Sequence, residues 1–282
     1  NCDTNVQLPC IHHNKMTNQR IPLIATKARP PPPPPPTPQQ RLTVLLVGSA
    51  LCNDVLLLLM LVPMLPALLP SASPFGLACL FSAKDLCQLL CAPLAGALTL
   101  KAGARFCLST SLLSLGAATI AFAEARSFSA LLLARALQGV ASAALMSGGL
   151  TLVAQTHLQS QRSEAIARAQ SGLGVGATLG PVLGGLMLEG IGRRATFYAA
   201  ASLVLLNGLA TTLLLNSATP QQELEARPPP STESPIRQLI SLVKHKHVAI
   251  VAAGILVQYA AGGLFDSLFG IHLKEAFGIG PA

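Results

Sequence analysis

The sequence predicts an all-α membrane protein, and composition, segment length and glycine spacing each support that fold class. Hydrophobic residues make up 51% of the 282-residue chain and charged residues only 11%. The mean hydropathy is +0.55. These values are typical of polytopic membrane proteins and exclude most soluble domains. Several apolar segments reach the roughly 20 residues that a helix needs to cross a ~30 Å hydrocarbon core.

A glycine-rich stretch at residues 172–185, GLGVGATLGPVLGG, lies inside the fifth apolar segment. Its core comprises Gly176, Gly180, Pro181, Gly184 and Gly185. In water such a helix would be poor, because each Gly costs about 0.5–1 kcal/mol and an interior Pro about 3 kcal/mol. Between packed membrane helices, glycines at four-residue spacing let two backbones approach, and neighbouring helices satisfy the groups that Pro leaves unpaired. The stretch therefore predicts a close helix contact, as a generic packing face or as a conformational motif.

Taken in order, the chain consists of a polar tail, six spans, a linker and a seventh span. We predict spans at about residues 42–69, 75–100, 106–123, 128–155, 165–188, 196–215 and 248–273. They divide the chain into a disordered basic tail (1–41), a six-span domain (42–216), a cytoplasmic linker (217–246) and the first span of a second domain (247–282). Because the chain starts at Asn1 and stops shortly after its seventh span, we expect a fragment of a longer protein.

The tail contains two features that bear on partners. The proline run from Pro30 to Pro36 favours polyproline II, which fits either an SH3-type groove or a disordered spacer. Cys10, His12 and His13 are crowded together in a segment without a core, so we expect no metal site there. The cysteines of the spans lie in apolar runs and are expected to pack as small apolar residues.

The distribution of basic residues predicts the orientation of the spans. Most Lys and Arg residues outside the spans fall on the same side as the N-terminus, whereas the opposite side holds only Arg126, Arg193, Arg194 and Lys274. By the positive-inside rule, the N-terminus is cytoplasmic. This asymmetry accounts for the net charge of +8 without a nucleic-acid partner, because no folded basic surface of the kind that binds DNA or RNA is visible.

Charged residues fall inside several predicted spans, among them Asp54 in the first, Lys84 in the second and Arg135 in the fourth, which lie at related depths. An ionised group costs several kcal/mol in lipid unless it is paired or hydrated, so such residues are functional candidates. We expect Asp54 to face Lys84 and Arg135, with Gln88 and Gln138 completing a polar network. The alternative is a purely structural ion pair that locks the helices. Asp85, beside Lys84, adds a charge that this network does not place.

The residues around these charges resemble the major facilitator superfamily, in particular drug:proton antiporters and vesicular amine (monoamine or acetylcholine) transporters. The first span, with Asp54 followed by Pro63 and Pro66, is similar to that of the vesicular amine transporters. So is the second span, in which Phe-Ser-Ala-Lys84 precedes Gln88.

Two further motifs extend the resemblance to the rest of the six-span domain. The fourth span carries Arg135-x-x-Gln138-Gly139, which looks like a motif shared with drug:proton antiporters, and the fifth span carries the Gly-Pro and Gly-Gly pairs of their signature. The loop after the second span keeps the glycines and basic residues of the superfamily's cytoplasmic motif. These are Gly96, Lys101, Gly103 and Arg105.

The resemblance implies a major facilitator fold of two six-helix halves built from three-helix inverted repeats, with this chain covering the first half and the first helix of the second. It implies a secondary transporter that exchanges protons for small organic cations by alternating access, without a cofactor or metal. Its partners would be the lipid bilayer, the cation and protons. It assigns proton coupling and substrate recognition to Asp54, Lys84, Gln88, Arg135, Gln138 and Asp266.

Two other functions remain open from the sequence. A facilitative carrier of a neutral solute would share the fold, and a truncated product would be a membrane protein without transport activity. Vesicular, vacuolar and plasma membranes are all compatible with the sequence. An enzyme is not indicated, because the sequence contains no phosphate-binding loop, no metal-ligand helix and no nucleophile elbow with triad partners.

Overall fold

The structure is a computed structural model that describes residues 34–68, 74–215, 237, 241, 244–250, 253, 254 and 257. The described residues form helices and no strand, which confirms the predicted all-α fold class. The helices are α1 (Pro38–Leu59), α2 (Leu61–Leu68), α3 (Pro74–Ala102), α4 (Ala104–Glu124), α5 (Phe128–Thr156) and α6 (Gln159–Leu215). The tail up to residue 33, with Cys10, His12 and His13, lies outside the described residues, as do most of the linker and of the seventh span.

The first helix begins at Pro38, four residues before the predicted start of the first span, because its N-terminus is capped. Thr37 and Gln40 form a reciprocal capping box, in which each side chain hydrogen-bonds the other residue's backbone N–H. The Gln40 side-chain amide also donates to the carbonyl of Thr156, at 2.7 Å. The cap therefore ties the start of α1 to the end of α5.

The first span continues through α2 after a local interruption at Met60. Pro63 has no N–H to donate to the carbonyl of Leu59, so the helical hydrogen-bond pattern breaks there. Met60 keeps helical dihedral angles, with φ −58° and ψ −27°. The stretch Pro38–Met64 is accordingly long and apolar enough to cross a membrane as one unit.

The last helix, α6, contains both the fifth and the sixth predicted spans. A straight helix of 57 residues would be about 85 Å long, more than twice the thickness of a bilayer core. Gly192 divides it, with φ +75° and ψ 172°, a left-handed conformation that favours glycine. We call residues 159–191 the first arm and residues 193–215 the second arm of α6.

The relative direction of the helices follows from which residues face each other. Positions 48, 52, 56 and 60 of α1 lie opposite positions 172, 176, 180 and 184 of the first arm, so these two helices are parallel. Residues 84 and 99 of α3 lie opposite residues 139 and 147 of α5, so this pair is also parallel. The second arm runs antiparallel to α4, since residues 112 and 116 of α4 face residues 208 and 205 of the arm. Helix α5 is also antiparallel to α4, since residues 108 and 119 of α4 face residues 148 and 138 of α5.

These directions are those of six spans that cross the membrane alternately. The first and fifth spans point one way, as they must, and the second and fourth point the other. Matching residues 38–124 to residues 128–215 helix for helix equates α1 with α5 and α3 with the first arm. The contact of α1 with the first arm therefore corresponds to the contact of α5 with α3. Such exchanged pairs are expected of two inverted three-helix repeats.

Candidate functional site

A buried ion pair joins α1 to α3 in the interior of the domain. The Nζ atom of Lys84 lies 3.1 Å from Oδ1 and 3.2 Å from Oδ2 of Asp54. Lys84 is 2% exposed and Asp54 is 3% exposed, so solvent does little to screen this pair. Gly139 of α5 lets α5 pack closely against α3 at this level, because a Cβ atom there would collide with the carbonyl oxygen of Lys84.

A third helix contributes to the same site through Ser142 of α5. Its hydroxyl donates a 2.5 Å hydrogen bond to Oδ1 of Asp54, and its side chain is fully buried. Asp54 thus accepts from an ammonium group on one helix and a hydroxyl on another. This arrangement holds the Asp54 carboxylate in one orientation.

Arg135 forms a second polar group beside this pair. Its Nη1 atom donates to the side-chain oxygen of Gln138 at 2.9 Å, and the Gln138 amide donates to the hydroxyl of Thr119 at 3.1 Å. The guanidinium lies 6.0 Å from the centre of the Phe122 ring, which is within the range of a cation–π interaction. Arg135 is 1% exposed, yet within the described part of the chain its Nε and Nη2 atoms have no hydrogen-bond partner.

The expected polar network is therefore arranged as two neighbouring groups. Asp54 contacts Lys84 and Ser142, whereas Arg135 contacts Gln138 and acts on Asp54 only through space. Among the described residues, Gln88 is half-buried one turn after Lys84 and forms no hydrogen bond with either group. Asp266, the remaining candidate, lies outside the described residues.

Similarity to known proteins identifies the family of the chain. The model of the Major Facilitator Superfamily matches residues 29–282. The chain belongs to the major facilitator superfamily. It is an integral membrane protein of a transporter family, and the predicted all-α major facilitator fold is confirmed.

Curated relatives of the chain include vesicular transporters. The synaptic vesicular amine transporter of Bos taurus is 30% identical over 197 residues, covering 70% of this chain and 36% of that protein. The probable vesicular acetylcholine transporter-B of Danio rerio is 29% identical over 222 residues, covering 75% of this chain and 44% of that protein. The predicted likeness to vesicular amine transporters is confirmed. The chain spans about a third to a half of the length of these relatives.

A solved structure of the superfamily supports the fold independently. The human organic anion transporter MFSD10 (TETRAN) matches with a TM-score of 0.57 at 19% identity, covering 86% of this chain and 72% of that chain. The likeness concerns the fold alone, since the sequences differ at most positions.

The glycines of the fifth span line the contact with α1. A Cβ atom at Gly176 or Gly184 would collide with the carbonyl oxygens of Cys52 or Met60, and one at Gly180 would lie 3.1 Å from that of Leu56. By contrast, a Cβ atom at Gly185 would meet no heavy atom within 4 Å. Gly176, Gly180 and Gly184 therefore face α1, whereas Gly185 faces away from it and Pro181 is half-buried between them.

The superfamily's loop motif forms a very short connection between α3 and α4. Gly103 alone separates the two helices, with φ +99°, and its N–H donates to the carbonyl of Thr99. Lys101 is exposed in the last turn of α3, and Arg105 is half-buried in the first turn of α4. Gly96 lies inside α3, near the hydroxyl of Ser147.

Two polar residues of the site, Ser142 and Thr119, were not predicted from the sequence. Both are fully or almost fully buried hydroxyls in runs of small apolar residues, where composition gives no signal. Helical spacing could have revealed Ser142, because Arg135, Gln138 and Ser142 stand at positions i, i+3 and i+7 and thus share one face of α5. Thr119 could have been found only from the pairing of α4 with α5.

Proposed function

We propose that this chain is the N-terminal part of a secondary transporter that exchanges protons for small organic cations by alternating access. The observation that carries the proposal is the buried Asp54–Lys84 ion pair, held by Ser142, within a domain whose curated relatives are vesicular amine transporters. Ionisable residues at membrane depth are costly, and they usually mark pathways for ions or substrate.

The ion pair supplies a site for which a proton and a cation can compete. Protonating Asp54 removes the negative charge that faces Lys84, and a protonated amine close to Asp54 competes with Lys84 for the same oxygens. Either event weakens the link between α1 and α3. A ligand shifts a conformational equilibrium only by its differential affinity for the two states, and a changed ion pair provides that difference.

The second polar group keeps another positive charge close to the ion pair. Arg135 acts electrostatically on Asp54, and its Gln138–Thr119 contacts fix it between α4 and α5. We assign Arg135 and Gln138 to proton coupling through this electrostatic effect. Gln88 and Asp266 are proposed as substrate-facing residues, Gln88 because it lies one turn from Lys84 on a half-exposed part of α3.

The glycine contacts would let the domain move as one body. The first arm of α6 lies against the α1 backbone at Gly176, Gly180 and Gly184, leaving little room for sliding between these helices. We propose that Pro181, Gly185 and the loop motif act where this domain meets its other half. From the basic-residue distribution we propose a cytoplasmic N-terminus, with a vesicular, vacuolar or plasma membrane as the location.

The test uses the full-length protein in sealed proteoliposomes with an acidic interior. Uptake of a panel of labelled organic cations and one sugar is followed with and without the pH gradient, for wild type and Asp54→Asn. The matched control is Glu164→Gln, since Glu164 is an exposed carboxylate that pairs with Arg168. We expect gradient-driven cation uptake that nigericin abolishes, that Asp54→Asn loses and that the control keeps.

Two other results would point elsewhere. Sugar equilibration that is the same with and without the gradient would identify a facilitative carrier and leave Asp54 as a structural residue. Gradient-driven cation uptake that survives in Asp54→Asn would remove Asp54 from the coupling mechanism.

A further inference from the structure

Three arginines lie together at the end of the bundle where α4 ends, α5 begins and Gly192 divides α6. Arg126 is in the turn between α4 and α5, and Arg193 and Arg194 are the first residues of the second arm. All three act electrostatically on Glu124, the last residue of α4. The arginines therefore surround a single carboxylate.

The two oxygens of that carboxylate are both engaged. Oε1 of Glu124 accepts a 2.6 Å hydrogen bond from the hydroxyl of Tyr198, and Oε2 lies 3.7 Å from Nη2 of Arg194. The side chains of Arg194 and Glu124 are 52% and 46% exposed, so water screens this ion pair. Glu124 therefore neutralises at most one of the three arginines.

The other two arginines keep donors for a further partner. Arg193 directs Nη1 and Nη2 at the carbonyl oxygen of Ala125, over 3.3 and 3.4 Å, which is long for a hydrogen bond. Arg126 is exposed, and among the described residues its guanidinium has neither a hydrogen-bond nor an ion-pair partner. With three positive charges and the one negative charge of Glu124, the cluster carries a net charge of +2.

The positions of the spans place this cluster at the surface of the membrane. The segments Ala104–Glu124 and Phe128–Thr156 are long and apolar enough to cross a bilayer, and the cluster lies at the turn between them. Phe128 and Ile191, next to the cluster in the chain, are exposed apolar residues. Arginines near the ends of membrane helices extend their charged groups to the headgroup level.

A buried aromatic contact holds the two sides of the cluster together. The rings of Phe122 in α4 and Phe197 in the second arm are 4.9 Å apart, and both side chains are almost fully buried. The end of α4 and the start of the second arm are thus fixed to each other. A preorganised set of donors loses less freedom when it binds a ligand.

The sequence concentrates its basic residues of this membrane side in the cluster. Four basic residues are predicted on the side opposite the N-terminus, and all but Lys274 belong to it. Like charges held close together repel each other, so their grouping is favourable only beside an anion. Glu124 supplies one negative charge, which leaves a place for another.

We propose that Arg126, Arg193 and Arg194 bind the phosphate of an anionic phospholipid headgroup. The planar guanidinium group suits phosphate oxygens, which it binds through two parallel hydrogen bonds. Phe128 and Ile191 lie beside the acyl chains of the same lipid. The inference concerns the lipid contact of the domain and does not depend on the transported solute.

The test uses the full-length protein in dodecyl maltoside micelles, which leave both ends of the spans accessible. The probes are phosphatidylglycerol and phosphatidylcholine with the same photoreactive diazirine close to the headgroup, and labelled residues are identified by peptide mass spectrometry. We expect residues 124–128 and 191–198 to be labelled about fivefold more by the phosphatidylglycerol probe, since one charge at an anionic membrane surface changes affinity by about that factor.

Two substitutions should change this labelling in opposite directions. Arg126→Gln should lower phosphatidylglycerol labelling about fivefold, whereas Arg126→Lys, which keeps the charge, should retain most of it. Glu124→Gln should raise the labelling, because it removes the competing carboxylate, and a misfolded protein would not show such an increase. Arg162→Gln is the matched control, since Arg162 is an exposed arginine at the opposite end of the bundle and should leave this labelling unchanged.

Three results would overturn the inference. The first is equal labelling of these residues by the two probes, and the second is phosphatidylglycerol labelling that neither Arg126→Gln nor Glu124→Gln changes. The third is displacement of the lipid probe by a large molar excess of inorganic phosphate, which would identify a site for a free anion. Because no step measures uptake, the lipid site and the antiport proposal can fail independently.

Discussion

Helix α1 is held by two contacts that use different chemistry, one with the first arm of α6 and the other with α3 and α5. We call them the glycine interface and the charged interface. At the glycine interface, Gly172, Gly176 and Gly184 bring one backbone against the carbonyl groups of the other. At the charged interface, Lys84 reaches Asp54 of α1, which also accepts a hydrogen bond from Ser142 of α5.

The difference teaches how one domain can contain both a fixed and a switchable contact. Backbone-to-backbone packing has no titratable group and keeps the same strength whatever the charge state of the domain. An ion pair changes when either partner gains or loses a proton or meets a competing ion. The same inverted-repeat geometry therefore holds α1 rigidly on one side and reversibly on the other.

The largest expected effect comes from breaking the charged interface with Lys84→Met. The substitution leaves Asp54 buried without its partner, and removing one member of a buried pair costs about 3–5 kcal/mol. We expect a much lower melting temperature for the full-length protein in detergent. Lys101→Met is the matched control, because Lys101 is exposed and should tolerate the change.

A double variant sharpens this test. Lys84→Met with Asp54→Asn removes both charges, so we expect most of the lost stability to return while gradient-driven uptake stays absent. A single variant as stable as the Lys101→Met control would show that the ion pair does not hold the charged interface.

A smaller effect is expected from breaking the glycine interface with Gly176→Ala. The added methyl group would collide with the carbonyl oxygen of Cys52, and backbone displacement in a packed interior costs about 3 kcal/mol or less. Gly174→Ala is the control on the same arm, since its methyl group meets nothing within 4 Å. Size-exclusion profiles and melting temperatures of the two variants should differ clearly, and equal values would contradict the close contact.

The smallest effect is expected from Ser142→Ala, which keeps the ion pair but removes its hydroxyl donor. A hydrogen bond to a charged group contributes about 1.5 kcal/mol or somewhat more, so the loss of stability should be modest. Ser202→Ala is the control, because Ser202 is exposed and bonds only its own helix at Tyr198. Slower gradient-driven uptake with near-normal folding is the expected outcome, and uptake equal to that of Ser202→Ala would exclude a role for Ser142 in orienting Asp54.

Much of the fold could be predicted from the sequence, because long apolar segments have few alternatives in a bilayer. The positions of the six spans and the closeness of Asp54 to Lys84 follow from hydropathy and from matching depths. The start of α1 at Pro38 was missed because Gln39 and Gln40 read as polar tail, although Thr37 and Gln40 carry the signal of a capping box.

Beyond the Asp54–Lys84 pair, the pairing of side chains across helices could not be predicted. Depth alone places Arg135 near Asp54, but Arg135 bonds Gln138 on its own helix, and the rotation of α5 brings the Gln138 amide to Thr119 of α4. Rotation is decided by packing, here by Gly139 against α3 and Gly148 against α4. Those contacts depend on the whole bundle and leave no local trace in the sequence.

The parallel pairing of α1 with the first arm of α6 has a consequence for how the chain is assembled at the ribosome. Gly172 follows Gly48 by some 120 residues, and synthesis at 5–20 residues per second delays their meeting by roughly 6–25 s. Until then, the face of α1 that contacts these glycines lacks its partner helix. Lys84 emerges much sooner after Asp54, so the ion pair can form first and keep α1 in place while its permanent neighbour is still being made.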